Sequence, residues 1–158
     1  MVELSKEYDY RLQKIEKKYT NDPDDPVILE EYCDFLKEYL SQGFMEKQME
    51  QIYRNQYTQL LLKQLEQKVN LHTCVCLMEN LMVQRDFFWQ KNIEIMDQNW
   101  HRGEEYWIWK IRYLAERKMG KELKQSLQAL KEEHIYLSSR GRRHWILAGW
   151  IKSESFSI

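Results

Sequence analysis

The stretch that decides the fold runs from Ile28 to Ile52 and reads ILEEYCDFLKEYLSQGFMEKQMEQI. Its apolar side chains recur every three or four residues on both sides of Gly43, which is the pattern of two amphipathic helices joined by a turn. Glycine readily adopts the left-handed backbone conformation that follows the last residue of many helices. The stretch therefore predicts an antiparallel pair of helices, one on each side of Gly43.

A second stretch, Tyr106 to Leu130, repeats this apolar pattern at a constant displacement of 78 residues (113 − 35 = 78). The five corresponding pairs are Phe35 with Tyr113, Leu36 with Leu114, Met45 with Leu123, Met49 with Leu127, and Ile52 with Leu130. Gly120 stands near the middle of this copy, as Gly43 does in the first. Because a lone helical hairpin cannot bury its apolar face, a displaced copy predicts a stacked helical array.

The composition agrees with an all-α fold. Only 5 Gly and 2 Pro occur in 158 residues, and helix-favouring Leu, Glu, Lys and Gln are abundant. This length fits one domain, which we place at residues 1–152, followed by a short flexible C-terminal tail at 153–158. We expect seven to eight helices in antiparallel hairpins, packed as a compact array.

Capping residues predict where several of these helices begin. Asp25 followed by Pro26 is a strong start signal, Asn70 can cap a fourth helix, and Asp86 can cap a fifth. Gly43 and Gly120 are expected to end the second and sixth helices. The predicted helices cover about 2–19, 26–42, 45–68, 71–83, 87–99, 104–119 and 121–133.

The segment 134–150 has two interpretations. As a helix it is capped by Ser138 or Ser139, with Trp145 packed on the preceding helix. As a β-hairpin it resembles the wing of a winged-helix DNA-binding domain, with three basic side chains available to phosphates: Arg140, Arg142 and Arg143. The helix is favoured because no other part of the chain shows a strand pattern.

The two hairpins resemble those of the tetratricopeptide and half-a-tetratricopeptide superfamily. In the first copy the resemblance lies in Glu31 to Leu36, Gly43, Met49 and Ile52 to Arg54; in the second it lies in Trp109, Tyr113, Leu114, Gly120, Leu127 and Leu130. It covers about 50 of the 158 residues. The resemblance implies a TPR-like helical array with a groove that receives a peptide or another protein.

Several functional classes find no support in the sequence. It contains no phosphate-binding glycine loop, serine elbow or HExxH motif, and the Cys74-Val75-Cys76 spacing is too short for a metal knuckle. We therefore expect no catalytic residues, metal or other cofactor. The charges nearly cancel, with 24 Lys plus Arg against 25 Asp plus Glu. Three cysteines and no long apolar run indicate a cytoplasmic chain with reduced thiols and no membrane contact.

Aromatic residues carry the strongest hint of function. The 6 Trp, 10 Tyr and 5 Phe exceed what one small core is expected to hold. Trp107 and Trp109 stand two positions apart on a helix, so one of them is expected to face a groove or solvent. The residues predicted to contact a partner are Tyr32, Tyr39, Trp107, Trp109, Arg112, Tyr113, Arg140, Arg142, Arg143 and Trp145.

The favoured function is a non-catalytic helical module, an adapter or regulatory subunit that binds another protein, a peptide or a second copy of itself in an aromatic and basic groove. The alternative is a nucleic-acid-binding protein. It would use the basic helix at 110–124 together with the segment Arg140 to Arg143. The nearly balanced charge favours protein binding, because the basic stretch is equally typical of a solvated helix face.

Overall fold

The structure, a computed structural model, describes residues 2–84, 89–135 and 137–138. These residues form seven helices and no strand, so the all-α class is confirmed. The helices are α1 (Val2–Asn21), α2 (Pro26–Ser41), α3 (Lys47–Gln67), α4 (Leu71–Val83), α5 (Gln90–Trp100), α6 (Glu104–Glu116) and α7 (Gly120–Glu132). No helix in this described part of the chain combines the length and the apolar character that crossing a membrane requires.

The chain divides into two compact units, Met1–Gln84 and Arg85–Ile158. In the first unit α1 packs on α2, α2 on α3, and α3 on α4. In the second unit α5 packs on α6 and α6 on α7. Within each unit, helices that are adjacent in sequence thus pack on each other. A single domain over 1–152 stays a prediction, and the expected tail at 153–158 lies outside the described residues.

The start of α2 follows the sequence prediction closely. Asp25 has an extended backbone, and its carboxylate accepts a hydrogen bond of 2.9 Å from the Val27 backbone N–H. Pro26 is the first helical residue, where its missing N–H costs no helical hydrogen bond. After the helix, Gly43 adopts the left-handed conformation with φ 71°. Both predicted boundaries of α2 are therefore confirmed.

Helix α1 packs antiparallel on α2 through an apolar stripe. Tyr8, Leu12 and Ile15 are each at most 7% exposed, and they recur at helical spacing. The Tyr8 hydroxyl donates a hydrogen bond of 2.8 Å to Glu38 near the end of α2. Lys18, near the end of α1, is 3.3 Å from Glu31 near the start of α2. This pairing of opposite ends fixes the antiparallel arrangement.

Helix α4 is buried on most sides, as its nearly continuous apolar sequence predicts. The Asn70 side chain caps it by accepting a hydrogen bond of 3.3 Å from the Thr73 backbone N–H. Cys74 and Met78 are 0% exposed, and the polar Asn80 is 3% exposed. A buried asparagine requires hydrogen-bond partners. Helix α3 supplies them, as described below.

In the second unit, the predicted boundary between α6 and α7 is wrong by three to four residues. Helix α6 ends at Glu116, and Lys118, not Gly120, takes the left-handed conformation with φ 55°. The Met119 N–H donates to the Leu114 carbonyl at 2.9 Å, and the Lys118 N–H donates to the Ala115 carbonyl at 3.1 Å. These two bonds form a Schellman motif. It ends the helix early enough for Gly120 to become the first residue of α7.

Helix α7 ends with the same motif, again without glycine. His134 has φ 53°, and the Ile135 N–H donates to the Leu130 carbonyl at 3.2 Å. Leu130 and Ile135 are each 6% exposed, as expected for the apolar contact that accompanies such an end. Ile135, Leu137 and Ser138 are not helical. Residues 139–150 lie outside the described part, so the helix and hairpin interpretations of 134–150 both stay predictions.

Candidate functional site

Two of the three tyrosines predicted to contact a partner, Tyr32 and Tyr39, are core residues of the first unit. Tyr32 is 3% exposed and Tyr39 is 4% exposed. The Tyr32 ring packs edge-on against Tyr19 at 5.4 Å, while the Tyr39 ring lies 5.1 Å from that of Tyr8 and its hydroxyl donates to Asp9. Burial raises the pKa of both Tyr32 and Tyr39. These rings join α1 to α2 and present little surface to a ligand.

Both tryptophans of α6 are also buried, so the expectation that one of them faces solvent is wrong. Trp107 is 1% exposed and Trp109 is 5% exposed. The Trp107 indole N–H donates a hydrogen bond of 2.7 Å to the His101 carbonyl. Helix α6 is buried on several faces at once, since Tyr106 and Ile108 are each 2% exposed. A helix that is buried on several faces can bury two tryptophan side chains that stand two positions apart and point in different directions.

The basic side chains of α6 lie over aromatic rings of the same helix. The three pairs are Lys110 over Trp107 at 5.2 Å, Arg112 over Trp109 at 4.7 Å, and Arg117 over Tyr113 at 5.4 Å. Tyr113 is 8% exposed, and its hydroxyl accepts a hydrogen bond of 3.2 Å from Arg117. Such cation–π pairs stabilise the helix surface. The remaining predicted contact residues, Arg140, Arg142, Arg143 and Trp145, lie outside the described residues.

A cleft of about 550 Å³ opens in the first unit between α2, α3 and the start of α4. We call it the α2–α4 cleft. The described residues that line it are Pro26, Glu30, Cys33, Asp34, Tyr57, Leu61, Gln64, Gln67, Lys68, Asn70, His72, Thr73 and Cys76. The sequence prediction missed this cleft, because its walls come from three helices whose contributing residues are as far apart as Pro26 and Cys76.

One wall of the α2–α4 cleft is acidic. Glu30 and Asp34 stand one turn apart on α2, and both side chains are exposed. Within the described part of the chain, neither carboxylate is in an ion pair. One wall of the cleft therefore carries two carboxylates without an ion-pair partner among the described residues, and Lys68 is the cation in the lining.

The opposite wall is rich in side-chain amides. Gln64 and Gln67 lie near the end of α3, and Asn70 caps α4. The Gln67 amide donates a hydrogen bond of 3.2 Å to the Asp24 carbonyl, which fixes its orientation. An amide offers both a donor and an acceptor, the same two groups as a peptide bond. This wall is suited to contacts with a polypeptide backbone.

The cleft lining includes a thiol with polar neighbours. The Cys76 Sγ lies 3.6 Å from His72 Nε2 and 3.5 Å from Lys37 Nζ. The Tyr57 side chain of α3 lines the same cleft. We call Cys76, His72, Lys37 and Tyr57 the thiol site. Among the residues that the structure describes, no group of three or more His, Cys, Asp and Glu side chains is placed to hold a metal ion.

The other two cysteines have different surroundings. Burial raises the pKa of the Cys33 thiol to about 12 and that of the Cys74 thiol to about 11. At neutral pH both therefore remain protonated, the unreactive form of a thiol. The sequence contained a signal that separates Cys76 from them, since His72 precedes it by four residues and thus lies on the same helix face.

A buried polar network joins α3 to α4 beside the cleft. The Arg54 guanidinium donates to the Asn80 side-chain oxygen at 3.0 Å, and the Asn80 amide donates to the Thr58 hydroxyl at 2.7 Å. The Gln84 amide donates to Asn55 at 2.6 Å. This network satisfies the buried Asn80 and fixes the position of α4, which carries His72 and Cys76.

Comparison of the chain with protein-family models, with curated proteins and with solved structures finds no match.

Proposed function

We propose that this protein is a non-catalytic helical module that binds an extended, basic segment of another protein in the α2–α4 cleft. The observation that carries the proposal is the pair of carboxylates, Glu30 and Asp34, without ion-pair partners among the described residues on one wall of a 550 Å³ cleft. A cleft of this volume falls within the range of ligand sites in proteins.

The two walls suggest how such a segment binds. Gln64 and Gln67 can pair with the backbone N–H and C=O groups of an extended chain. A lysine or arginine of the same segment can then reach Glu30 or Asp34 and form charge-assisted hydrogen bonds. The backbone contacts supply affinity, and the carboxylates supply the preference for a basic side chain.

The proposed partner site is the α2–α4 cleft, whereas the sequence predicted a site formed by aromatic residues. The rings of Tyr32, Tyr39, Trp107 and Trp109 are buried, whereas the cleft is open and includes charged and amide side chains in its lining. The TPR-like resemblance, adapter role and cytoplasmic location remain parts of the proposal. The three cysteines, which are free thiols, accord with that location.

Selection of random twelve-residue peptides on the full chain tests the proposal. We expect the selected peptides to contain Lys or Arg, and the Glu30→Gln/Asp34→Asn variant to bind them about tenfold more weakly. The matched control is Glu3→Gln/Glu7→Gln on α1, which removes two exposed carboxylates at the same spacing away from the cleft lining. Equal loss of binding in both variants would contradict the proposal.

A labelled DNA duplex, measured beside the selected peptides, tests the alternative function. Tight duplex binding that weakens steeply with salt would support a nucleic-acid-binding protein and count against the cleft proposal. We expect no duplex binding at low salt, because the 24 Lys plus Arg are balanced by 25 Asp plus Glu and the chain has no net positive charge to attract phosphates.

A further inference from the structure

The thiol site brings a nucleophile, a base and a cation together at the edge of an open cleft. Cys76 lines the α2–α4 cleft although its side chain is only 4% exposed. His72 is exposed and lies one turn before it on α4, with Nε2 3.6 Å from the sulfur. Lys37 reaches across from α2 and places its ammonium 3.5 Å from the same atom.

Lys37 and His72 are side chains of the kinds that take part in thiol exchange chemistry. The thiolate is the nucleophile in sulfur chemistry, and a nearby cation stabilises its negative charge. A neutral imidazole within reach of the sulfur can accept the thiol proton, and the exposed position of His72 lets that proton pass to water.

We propose that Cys76 is a redox-modification site, at which its thiol forms a mixed disulfide with a low-molecular-weight disulfide that enters the α2–α4 cleft. Nothing else in the described part of the chain combines a nucleophilic side chain with a base, a cation and an open cleft. Cys33 also lines the cleft, but its protonated thiol makes it the weaker nucleophile.

The exchange is balanced without any further oxidant. His72 takes the proton from Cys76, and the thiolate attacks one sulfur of the incoming disulfide. A new S–S bond forms to Cys76, while the S–S bond of the small disulfide breaks. The departing thiolate takes the electron pair of that bond and then a proton from the His72 imidazolium or from water.

The proposal goes beyond peptide binding and stands without it, because it concerns only the sulfur and its immediate neighbours. A mixed disulfide at Cys76 places a new group inside the cleft. If the cleft also binds a basic peptide, that group would compete with it. The chemical test below uses no peptide, so its outcome is separate from that of the peptide selection.

The test uses the folded full chain with an excess of the neutral disulfide 4,4′-dithiodipyridine. We expect one thiol to react about tenfold faster than the other two, and peptide mapping by mass spectrometry to locate the fast adduct at Cys76. The Cys76→Ser variant should lose the fast phase. A fast adduct at Cys33 or Cys74, or three equal slow rates, would overturn the proposal.

Substitutions of exposed neighbours test the roles of His72 and Lys37 without disturbing the core. We expect His72→Gln to slow the fast phase several-fold. Lys37→Gln should also slow it, and Lys37→Arg should restore most of the rate. The matched control is Lys68→Gln, a cleft cation with no recorded contact to the sulfur. Equal rates in wild type, His72→Gln and Lys37→Gln would refute the assigned roles.

Discussion

The two helical hairpins, α2–α3 and α6–α7, agree in their first helices and differ in their second. Helix α2 begins at Pro26 and α6 at Glu104, at the displacement of 78 residues that the sequence pattern shows (104 − 26 = 78). The corresponding residues Phe35 and Tyr113 are both buried, at 6% and 8% exposure. The repeated pattern therefore describes equivalent packing in α2 and α6.

The second helices bury different faces. Ile52 on α3 is 58% exposed, whereas its counterpart Leu130 on α7 is 6% exposed. Helix α3 instead buries a later set of residues, Tyr57, Leu60, Leu61 and Leu65, because it packs against both α2 and α4. An apolar spacing thus predicts that a helix forms, but the neighbouring helices decide which face is buried. This comparison teaches that equal spacing does not mean equal burial.

The largest expected effect is the difference in unfolding free energy between the Leu130→Ala and Ile52→Ala variants. Leu130→Ala should destabilise the second unit by about 3 kcal/mol, since it removes a buried side chain and leaves a cavity. Ile52→Ala should change the stability of the first unit by less than about 0.5 kcal/mol, because most of Ile52 is already in water.

Urea unfolding can follow the two units separately. All 6 tryptophans lie after residue 84, so tryptophan fluorescence reports the second unit, while far-ultraviolet circular dichroism reports both. Phe35→Leu serves as a core substitution of the first unit that should lower the circular-dichroism midpoint. If Ile52→Ala proved as damaging as Leu130→Ala, the two second helices would be equivalent after all.

Replacing each of the two glycines of the repeat by alanine should give the next largest effects on stability, and these effects should have opposite signs. Gly43 has φ 71° and a Cβ there would meet no atom within 4 Å, so Gly43→Ala should destabilise by about 1 kcal/mol through backbone strain alone. Gly120 is helical and equally unobstructed. Gly120→Ala should stabilise the chain by about 0.5 kcal/mol, because alanine restricts the unfolded chain more than glycine.

Thermal unfolding followed by circular dichroism measures both glycine variants. Gly43→Asn is the control, since asparagine tolerates the left-handed conformation better than alanine and should lose less stability. Destabilisation by Gly120→Ala similar to that by Gly43→Ala would show that both glycines end helices, as the sequence repeat suggested.

The sequence predicted the helices well and several of their ends. Asp25, Asn70 and Gly43 act as expected because each signal is local, involving a side chain and a backbone group within a few residues. The role of Gly120 was mispredicted because Lys118 takes the left-handed position that glycine usually fills. A Schellman motif without glycine leaves no clear mark in the sequence.

The candidate site was much less predictable. Aromatic abundance pointed to Trp107 and Trp109 as surface anchors, but composition alone cannot distinguish an interface ring from a core ring. The α2–α4 cleft requires the packing of three helices, which no local pattern reveals. Only the four-residue spacing between His72 and Cys76 was visible in the sequence, whereas Lys37 approaches the sulfur only through tertiary packing.

In both hairpins, a polar contact joins the second helix or its end to the loop before the first helix. The residues that make this loop contact differ between the hairpins. Lys63 of α3 donates to the Pro23 carbonyl at 2.6 Å, and Glu133 after α7 is 2.7 Å from His101. His101 also lies 2.6 Å from Asp97 on α5. A lysine stays charged through neutral pH, whereas a histidine does not.

The smallest expected effect is a pH dependence confined to the second unit. Hydrogen bonds that the His101 ring donates to the carboxylates of Asp97 and then Glu133 raise the pKa of His101 above its ordinary value of 6.5. Because the folded-state pKa is the higher one, this stabilisation is complete below about pH 6.5 and is lost as the pH rises through the folded-state value. The three side chains are partly exposed, so solvent weakens the effect.

Fluorescence-detected urea midpoints between pH 6 and pH 9 measure how much the His101 contacts stabilise the second unit. Wild type should lose stability as the pH rises, and His101→Gln should remove most of that slope because its amide does not titrate. His72→Gln, which changes a histidine of the first unit, should leave the tryptophan signal unchanged at every pH. A slope that survives in His101→Gln would assign the pH dependence to other groups. The loop contacts of Lys63 and His101 would then not differ in their response to pH.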